Sequence, residues 1–423
     1  MSWSIEVIGA EGPEWSQGEH TIMNAKMRTL IAAALVVGIA SGPAVAHAVS
    51  PPVAASAPAA AGRIAPLVST PPNAAALEAA IAGLGPRHRD ATAALVRVGG
   101  TAGCWQGSSG VADIRTGRDA VEQGRFRAGS VTKAFTAAVV LQLAAEGRLD
   151  LDGPARRHLP GTVPDRYGTV TVRQLLNHTS GIPAADGPGD SFEAQWEHRF
   201  DVTDPRAQVA NAVAKEREFA PGSAQHYLNI NYTVLGVLIE KVTGLRYEEA
   251  VGARILGPLG LHRTSFPGRT ETRIQGPHNR GYQAIPKADG TRELRDVTEW
   301  NSSDRWAAGD IVSTTADLER FTVALFSGRV VPKDRLEEMF TVPDVKDFVS
   351  GEPAVMTAGL SRTVLPDGTV AWGKTGGRHG YNTAIGATRD LSRTLVYSVN
   401  ATDAKGQDMN PVALGVIMAA FRK

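Results

Sequence analysis

The chain of 423 residues contains one cysteine, Cys104. A disulfide within the chain and any metal site built from several thiolates are therefore excluded. A reactive thiol needs a neighbouring base, and the sequence around Cys104 supplies none, so this residue is expected to be small, apolar and buried. Glycine-rich nucleotide loops are missing: neither G-x-G-x-x-G nor a Walker loop occurs. The ten histidines show no H-E-x-x-H or comparable spacing, so no metal is expected. There is no G-x-S-x-G, which argues against the nucleophile elbow of a Ser-His-Asp hydrolase. Charge of one sign is also absent. Lys+Arg number 44 and Asp+Glu 43, so no net field draws the chain to nucleic acid or to an anionic membrane. With 43% hydrophobic and 21% charged residues, a wholly disordered or fibrous chain is excluded.

What is present begins with an address. The apolar run Leu30 to Ala40 follows Lys26 and Arg28 and precedes Ala46-His47-Ala48, small residues at the two positions a cleavage site needs. The run is well short of the ~20 residues that span a bilayer. Residues 1–48 are thus expected to be a secretory signal region, with the true start at Met23 or Met27 and cleavage near Ala48. The Ala/Pro-rich stretch 49–72 has too few large apolar residues to bury a core and is expected to be an extended linker. The mature protein is expected to be secreted, soluble and monomeric.

From Asn73 onward the texture is globular. Asn73 to Gly85 has an Asn cap, strong helix formers and a closing glycine, a helix pattern. Ala91 to Gly100 and Cys104 to Asp113 alternate as strands. Val131 to Gly147 is apolar on nearly every face, as a helix at the centre of a protein would be. Helical signals broken by Gly and Pro fill 153–305, and strand signals return after Ala358. This order predicts an α/β fold of layered α+β type: an antiparallel sheet flanked by helices and drawn from both ends of the chain (about 73–152 and 306–423), with an inserted, mostly helical domain (about 153–305).

Three short motifs carry chemistry. In Ser130-Val131-Thr132-Lys133, residues three apart share a helix face, so Lys133 can reach the Ser130 hydroxyl. A serine needs an adjacent base to act as a nucleophile, and burial beside a helix N-terminus weakens the hold of a lysine on its proton. In Tyr227-Leu228-Asn229 a phenol and an amide two residues apart in an extended loop point to one side. The phenol can relay a proton if a cation lowers its pKa. Lys374-Thr375-Gly376-Gly377 lies in a late strand, where glycines let a substrate backbone approach and Lys and Thr offer a charge and a hydroxyl. One ordered match to all three by chance is below about one in a hundred.

At these residues the chain resembles the serine β-lactamase and penicillin-binding family, closest to class C β-lactamases and secreted D-alanyl-D-alanine carboxypeptidases of actinobacterial type. The segments FRAGSVTKAFTAAVVLQLAAEGRLDLD, TVRQLLNHTSGI, YLNINYTVLGVLIEKVTG, AAGDIVSTTADLERF and WGKTGGRHGY carry the likeness, which runs from about Asn73 to the end. The resemblance implies Ser130 as the acylated nucleophile, with Lys133 and Tyr227 sharing acid/base work. It implies Asn229, Lys374, Thr375, Gly376 and Gly377 as substrate-binding residues, with the N–H groups of Ser130 and Gly377 as the oxyanion hole. No cofactor is implied. The expected substrates are D-Ala-D-Ala peptides of peptidoglycan; the alternatives are a class C-like β-lactamase, an esterase, or a non-catalytic penicillin-binding or sensor protein. The chain departs from many carboxypeptidase relatives, which have His at the place of Lys374 and Thr or Ser at that of Gly377. The lost hydroxyl weakens the grip on a D-Ala carboxylate, and Arg378 and Arg362 are candidates to replace it. His178 is expected to be structural, His379 is a candidate pocket residue, and Trp306 and Trp372 are expected in the core. The run LRDVTEW and the pair Arg156-Arg157 are expected to be solvated surface.

Overall fold

The computed structural model describes residues 70–406 and 408–421. The signal region and most of the linker expectation lie outside the described residues. Helix α1 (Ala74–Ala80) starts where the Asn73 side chain accepts the Ala76 N–H, a cap worth about 1 kcal/mol. Strands β1 (Ala91–Gly99), β2 (Trp105–Asp113), β3 (Arg118–Asp119) and β4 (Phe126–Arg127) follow. Helix α2 (Thr132–Ala145) comes next and is released by Gly147, whose φ of 70° is the left-handed conformation a helix exit needs.

The middle of the chain holds α3 (Val172–Leu176), α4 (Phe192–Glu197), α5 (Pro205–Ala214), β5 (Ala224–Gln225), α6 (Asn229–Thr243) and α7 (Tyr247–Val251). Thr171 and Gln174 close a reciprocal capping box on α3, and Asp204 caps α5 ahead of Pro205. A hairpin then forms from β6 (Tyr282–Pro286) and β7 (Arg292–Asp296). The sequence reading missed it, because β7 is polar, β6 is a short mixed run, and the turn, Lys287 to Thr291, carries the clearest signal. LRDVTEW is accordingly not mere solvated surface. Asp296 pairs with Arg280 at 2.5 Å, and Val297 and Trp300 are buried.

The last third supplies β8 (Val312–Ser313), α8 (Thr315–Phe326), β9 (Lys346–Asp347), β10 (Ser361–Val364), β11 (Val370–Arg378), β12 (Tyr381–Thr388), β13 (Thr394–Ala401) and α9 (Pro411–Phe421). Seven strands make one antiparallel sheet in the order β10-β11-β12-β13-β1-β2-β3, so both ends of the chain meet at the β13–β1 pair. Along β12 the pleat sends Ala384 to one face and Ile385 to the other. The outer face packs on α1 and α9, and the inner face on the cluster built around α2, α6 and α8. Trp306 belongs to that inner cluster and Trp372 packs against it, as expected. Arg156 and Arg157 are exposed, also as expected. Cys104 is not: it is exposed beside Gly103 at the β1–β2 connection, where a short glycine-bearing turn offers nothing to cover it.

Candidate active site

The site is built where β4 ends. Phe126 and Arg127 pair with Ser313 and Val312, and Ala128 N–H donates to Ile311 O, fixing the chain as it leaves the strand. Arg127 is buried and donates to Ser302 Oγ at 2.9 Å and to the carbonyls of Thr272 and Thr298 at 2.7 and 3.0 Å. Gly129 then takes a φ of 53°, a conformation costly for any residue with a Cβ. One 3-10 turn, Gly129–Val131, delivers Ser130 to the start of α2. Thr132 Oγ1 donates to Gly129 O and accepts Ile311 N–H, which holds the turn from below.

One turn further along α2, Lys133 is fully buried. Its Nζ lies 3.2 Å from Ser130 Oγ, 2.6 Å from Asn229 Oδ1 and 2.7 Å from Ala308 O. Three acceptors match the three protons of an ammonium; on losing one proton, the amine presents a lone pair to the serine hydroxyl. Burial lowers the Lys133 pKa to about 8, and Lys374 pushes it the same way against the opposing pull of Tyr227.

Tyr227 and Asn229 come from the connection into α6. The expectation of an extended loop holds for Tyr227 only, since Asn229 is the first residue of α6 and Leu228 is its extended N-cap. The two side chains still converge on Lys133: Asn229 by its hydrogen bond, Tyr227 with its ring centroid 5.0 Å from Nζ. The Tyr227 hydroxyl is buried, with Ser130 and Lys133 the groups placed to hydrogen-bond it. Burial alone would raise its pKa, but the charges of Lys133 and Lys374 outweigh this and bring it to about 7. A buried phenol placed between Ser130 and Lys133, with a pKa near neutrality, is ready to exchange a proton.

Strand β11 closes the site. Lys374 Nζ lies 4.7 Å from the Tyr227 ring centroid and donates to Thr375 O at 2.9 Å. Thr375 is exposed. A Cβ on Gly376 would lie 2.0 Å from Ala128 O and 3.0 Å from Ser130 N, so only glycine lets the strand touch the serine turn. A Cβ on Gly129 would likewise come within 2.8 Å of Gly377 N. The backbones bearing the Ser130 and Gly377 N–H groups are thus in contact, and Thr383 Oγ1 ties them by donating to Ala128 O at 2.8 Å. Past Gly373 the side of β11 facing away from β12 pairs with no strand among the described residues. A substrate can lie along that edge with its carbonyl between the two N–H groups.

All eight sequence-chosen residues therefore meet in one place. His178 supports it as expected: its φ is 62°, its Nδ1 accepts Leu228 N–H at 3.4 Å, and its ring packs 4.6 Å from that of Tyr227. His379 does not line the site as a free group. Its Nε2 lies 3.0 Å from Gln195 Oε1 on α4, its ring packs on Trp300 and Phe192, and burial brings its pKa to about 3. Sequence reasoning did not find Ala308 O, a backbone group invisible to any residue-type signal, nor Lys405, whose Nζ donates to Gly377 O at 2.9 Å.

Comparison with known proteins agrees with this geometry. The family model for Beta-lactamase matches residues 77–416. Penicillin-binding protein 4* of Bacillus subtilis (strain 168) is 28% identical over 323 residues, which cover 75% of this chain and 69% of that protein. Protein flp of Staphylococcus aureus (strain COL) is 33% identical over 201 residues, but these cover only 38% of flp. A D-stereospecific amidohydrolase from Streptomyces sp. superposes with a TM-score of 0.70 at 35% identity, covering 83% of this chain and 99% of that one. The D-amino acid amidase from Ochrobactrum anthropi SV3, complexed with L-phenylalanine, gives 0.67 at 25% identity over 81% and 96%. On the match to most of its length, and on a serine, two lysines and a tyrosine gathered at one strand edge, the chain belongs to the Beta-lactamase family, the serine hydrolases of β-lactamase and penicillin-binding type.

Proposed function

We propose that this chain is a secreted hydrolase that forms an acyl-enzyme on Ser130 and cleaves amide bonds next to D-residues, with peptides ending in D-alanyl-D-alanine as its leading substrate class. The observation that carries this is the buried 3.2 Å contact of Lys133 Nζ with Ser130 Oγ, beside a phenol whose charge both lysines control. The similar proteins named for D-stereospecific amide hydrolysis support the bond type and the handedness. The signal pattern at 1–48 supports export.

In the mechanism this implies, the substrate carbonyl enters between the Ser130 and Gly377 N–H groups. Ser130 Oγ attacks it as its proton passes to the Lys133–Tyr227 pair, general-base help worth about 10²–10⁴ in rate. The developing oxyanion is met by the two N–H groups, a contribution of about 3 kcal/mol per donor. Tyr227 returns the proton to the leaving nitrogen as the tetrahedral intermediate collapses, and water repeats the sequence to free Ser130. Lys374 favours the phenolate throughout.

A second reading, β-lactam hydrolysis, draws on the same groups and on the family itself; it differs only in how fast water clears the acyl-enzyme. A fluorescent penicillin tests the shared core. Wild type is expected to label and Ser130→Ala is not; equal labelling of both would remove Ser130 from the mechanism. Release of D-Ala without nitrocefin turnover then supports the peptidase, and the reverse supports the lactamase.

A further inference from the structure

We infer that Asp310 is a positioning residue for this site: its buried carboxyl holds the Ala307–Ala308 turn, and that turn fixes where the Lys133 amine stands against Ser130. This rests on the acyl-enzyme reading above, in which Lys133 is the base, and adds the group that keeps that base in place.

The starting point is the one partner of Lys133 that no side chain supplies. Its Nζ donates to Ala308 O at 2.7 Å, while its other two partners, Ser130 and Asn229, sit on the first turns of α2 and α6. A carbonyl stays only where its peptide stays, so the turn that carries it needs support of its own. That turn is strained at Ala307, whose φ of 58° is left-handed, a costly conformation for a residue with a Cβ. Its surroundings are tight. Thr136, three residues along α2 from Lys133, donates from Oγ1 to Ala307 O at 2.7 Å. On α6 a Cβ at Gly236 would lie 2.6 Å from the Ala307 Cβ. The N–H groups of Ala308 and Gly309 both reach Arg305 O, at 2.9 and 2.6 Å, which leaves the Ala307 N–H.

Asp310 meets that N–H. The residue is 4% exposed, and the donors its carboxyl faces are the N–H groups of Ala307 and of Asp310 itself. It forms no ion pair and no hydrogen bond with another side chain among the described residues. A carboxyl buried in this way is costly, and the backbone it holds explains its place. The titratable groups around it are Glu248 and Tyr247 on α7 and Arg378 on β11, the last clasped to Asp304 with Nη2 3.1 Å from Oδ1. Burial, with Glu248 adding to it, raises the carboxyl to about 8 against the pull of Arg378 and the backbone N–H groups. The group is therefore a neutral acid at pH 7. A neutral acid still offers its carbonyl oxygen to an N–H. It also brings no anion into the core that would tighten the hold of Lys133 on its proton.

Without this carboxyl the Ala307 N–H is left buried and unpaired, and the turn relaxes from its left-handed form. Ala308 O then moves off Lys133. The ammonium loses one of three acceptors, so it gives up its proton more readily, and the amine is aimed less well at Ser130 Oγ.

The test follows hydrolysis of a neutral p-nitrophenyl ester between pH 5 and 10 in wild type, Asp310→Ala, Asp310→Ser and Asp310→Asn, each shown by circular dichroism to be folded at the assay temperature. Asp310→Ala is expected to lower the plateau kcat/KM by about 10- to 100-fold and to move the acidic limb down by about one pH unit. Asp310→Asn keeps a carbonyl oxygen over the Ala307 N–H and should keep both rate and limb. Asp310→Ser, the milder change should the alanine variant not fold, should fall between them. A limb that stays put in the folded Ala or Ser variant, or an Asn variant as impaired as Ala, would overturn the inference. Unfolding of all three would overturn it too, since Asp310 would then serve the fold and not the base. Penicillin labelling separates the two readings: a wild type that neither labels nor cleaves the ester strikes the Ser130 mechanism itself, whereas labelling with an unmoved limb strikes Asp310 alone.

Discussion

Removing one charge, in Lys374→Met, should move the pH at which the enzyme switches on. Lys374 Nζ lies 4.7 Å from the centroid of the Tyr227 ring. Taking about 5 Å to the phenolate and an effective dielectric of 20, Coulomb's law gives roughly 3 kcal/mol, or about 2 pKa units. The phenol stands at about 7 with both lysines present, so without Lys374 it should rise toward about 9. Lys133 should move the same way, because Lys374 is among the groups lowering it from 10.5 to about 8. The acidic limb of the rate profile, which belongs to this pair acting together, therefore moves up whichever member holds the proton. At pH 7 the competent form falls from about half to about one in a hundred, a loss of roughly 50-fold that raising the pH restores. The assay is acylation by a neutral p-nitrophenyl ester between pH 5 and 10, chosen because the ester has no carboxylate for Lys374 to hold. Lys374→Arg keeps the charge and should keep the limb near its original place. A uniform drop at every pH, with the limb unmoved, would refute the argument and reduce Lys374 to a binding group.

Gly376→Ala would drive a methyl group to 2.0 Å from Ala128 O, so the strand must withdraw from the serine turn; acylation should fall by more than 100-fold, and circular dichroism should show a lowered Tm. Asp310 is buried, and burial raises its carboxyl to about 8, so the folded state keeps a proton that the unfolded state releases above about pH 4. Stability should therefore fall as pH rises from 4 to 8; Asp310→Asn should flatten that slope in Tm measured against pH, and parallel slopes would disprove it. Cys104 is exposed, so the native protein should take one equivalent of maleimide within minutes while nearly all activity remains.

How much of this was legible in the sequence depends on the range of the signal. The Ser130–Lys133 pair lies within one helical turn, and its geometry follows from spacing alone. The meeting of Tyr227, Lys133 and Lys374 spans most of the chain; composition could not give it, and it was reached through a resemblance carried by five segments. The centre of the sheet was readable because β13 and β1 are nearly continuous apolar runs. The β6–β7 hairpin was not, since β7 is polar and β6, which buries both Tyr282 and Gln283, lacks the alternation that betrays a half-buried strand. Cys104 was misplaced because residue type alone suggested burial, whereas the turn around it governs exposure. Lys405 was hidden because a single lysine in a polar loop carries no pattern, and its meaning comes only from the carbonyl it finds.

The unpaired stretch of β11 also bears on how the molecule avoids its own kind. An open, flat row of amides and carbonyls can template the strand of another copy and begin aggregation. Here the carbonyls of Thr375 and Gly377 are each covered by a lysine ammonium, from Lys374 and Lys405. A second chain approaching this rung would have to displace both lysines from the carbonyls they cover. The two side chains that cap these carbonyls thus keep the free rung of β11 from serving as a ready template for another strand.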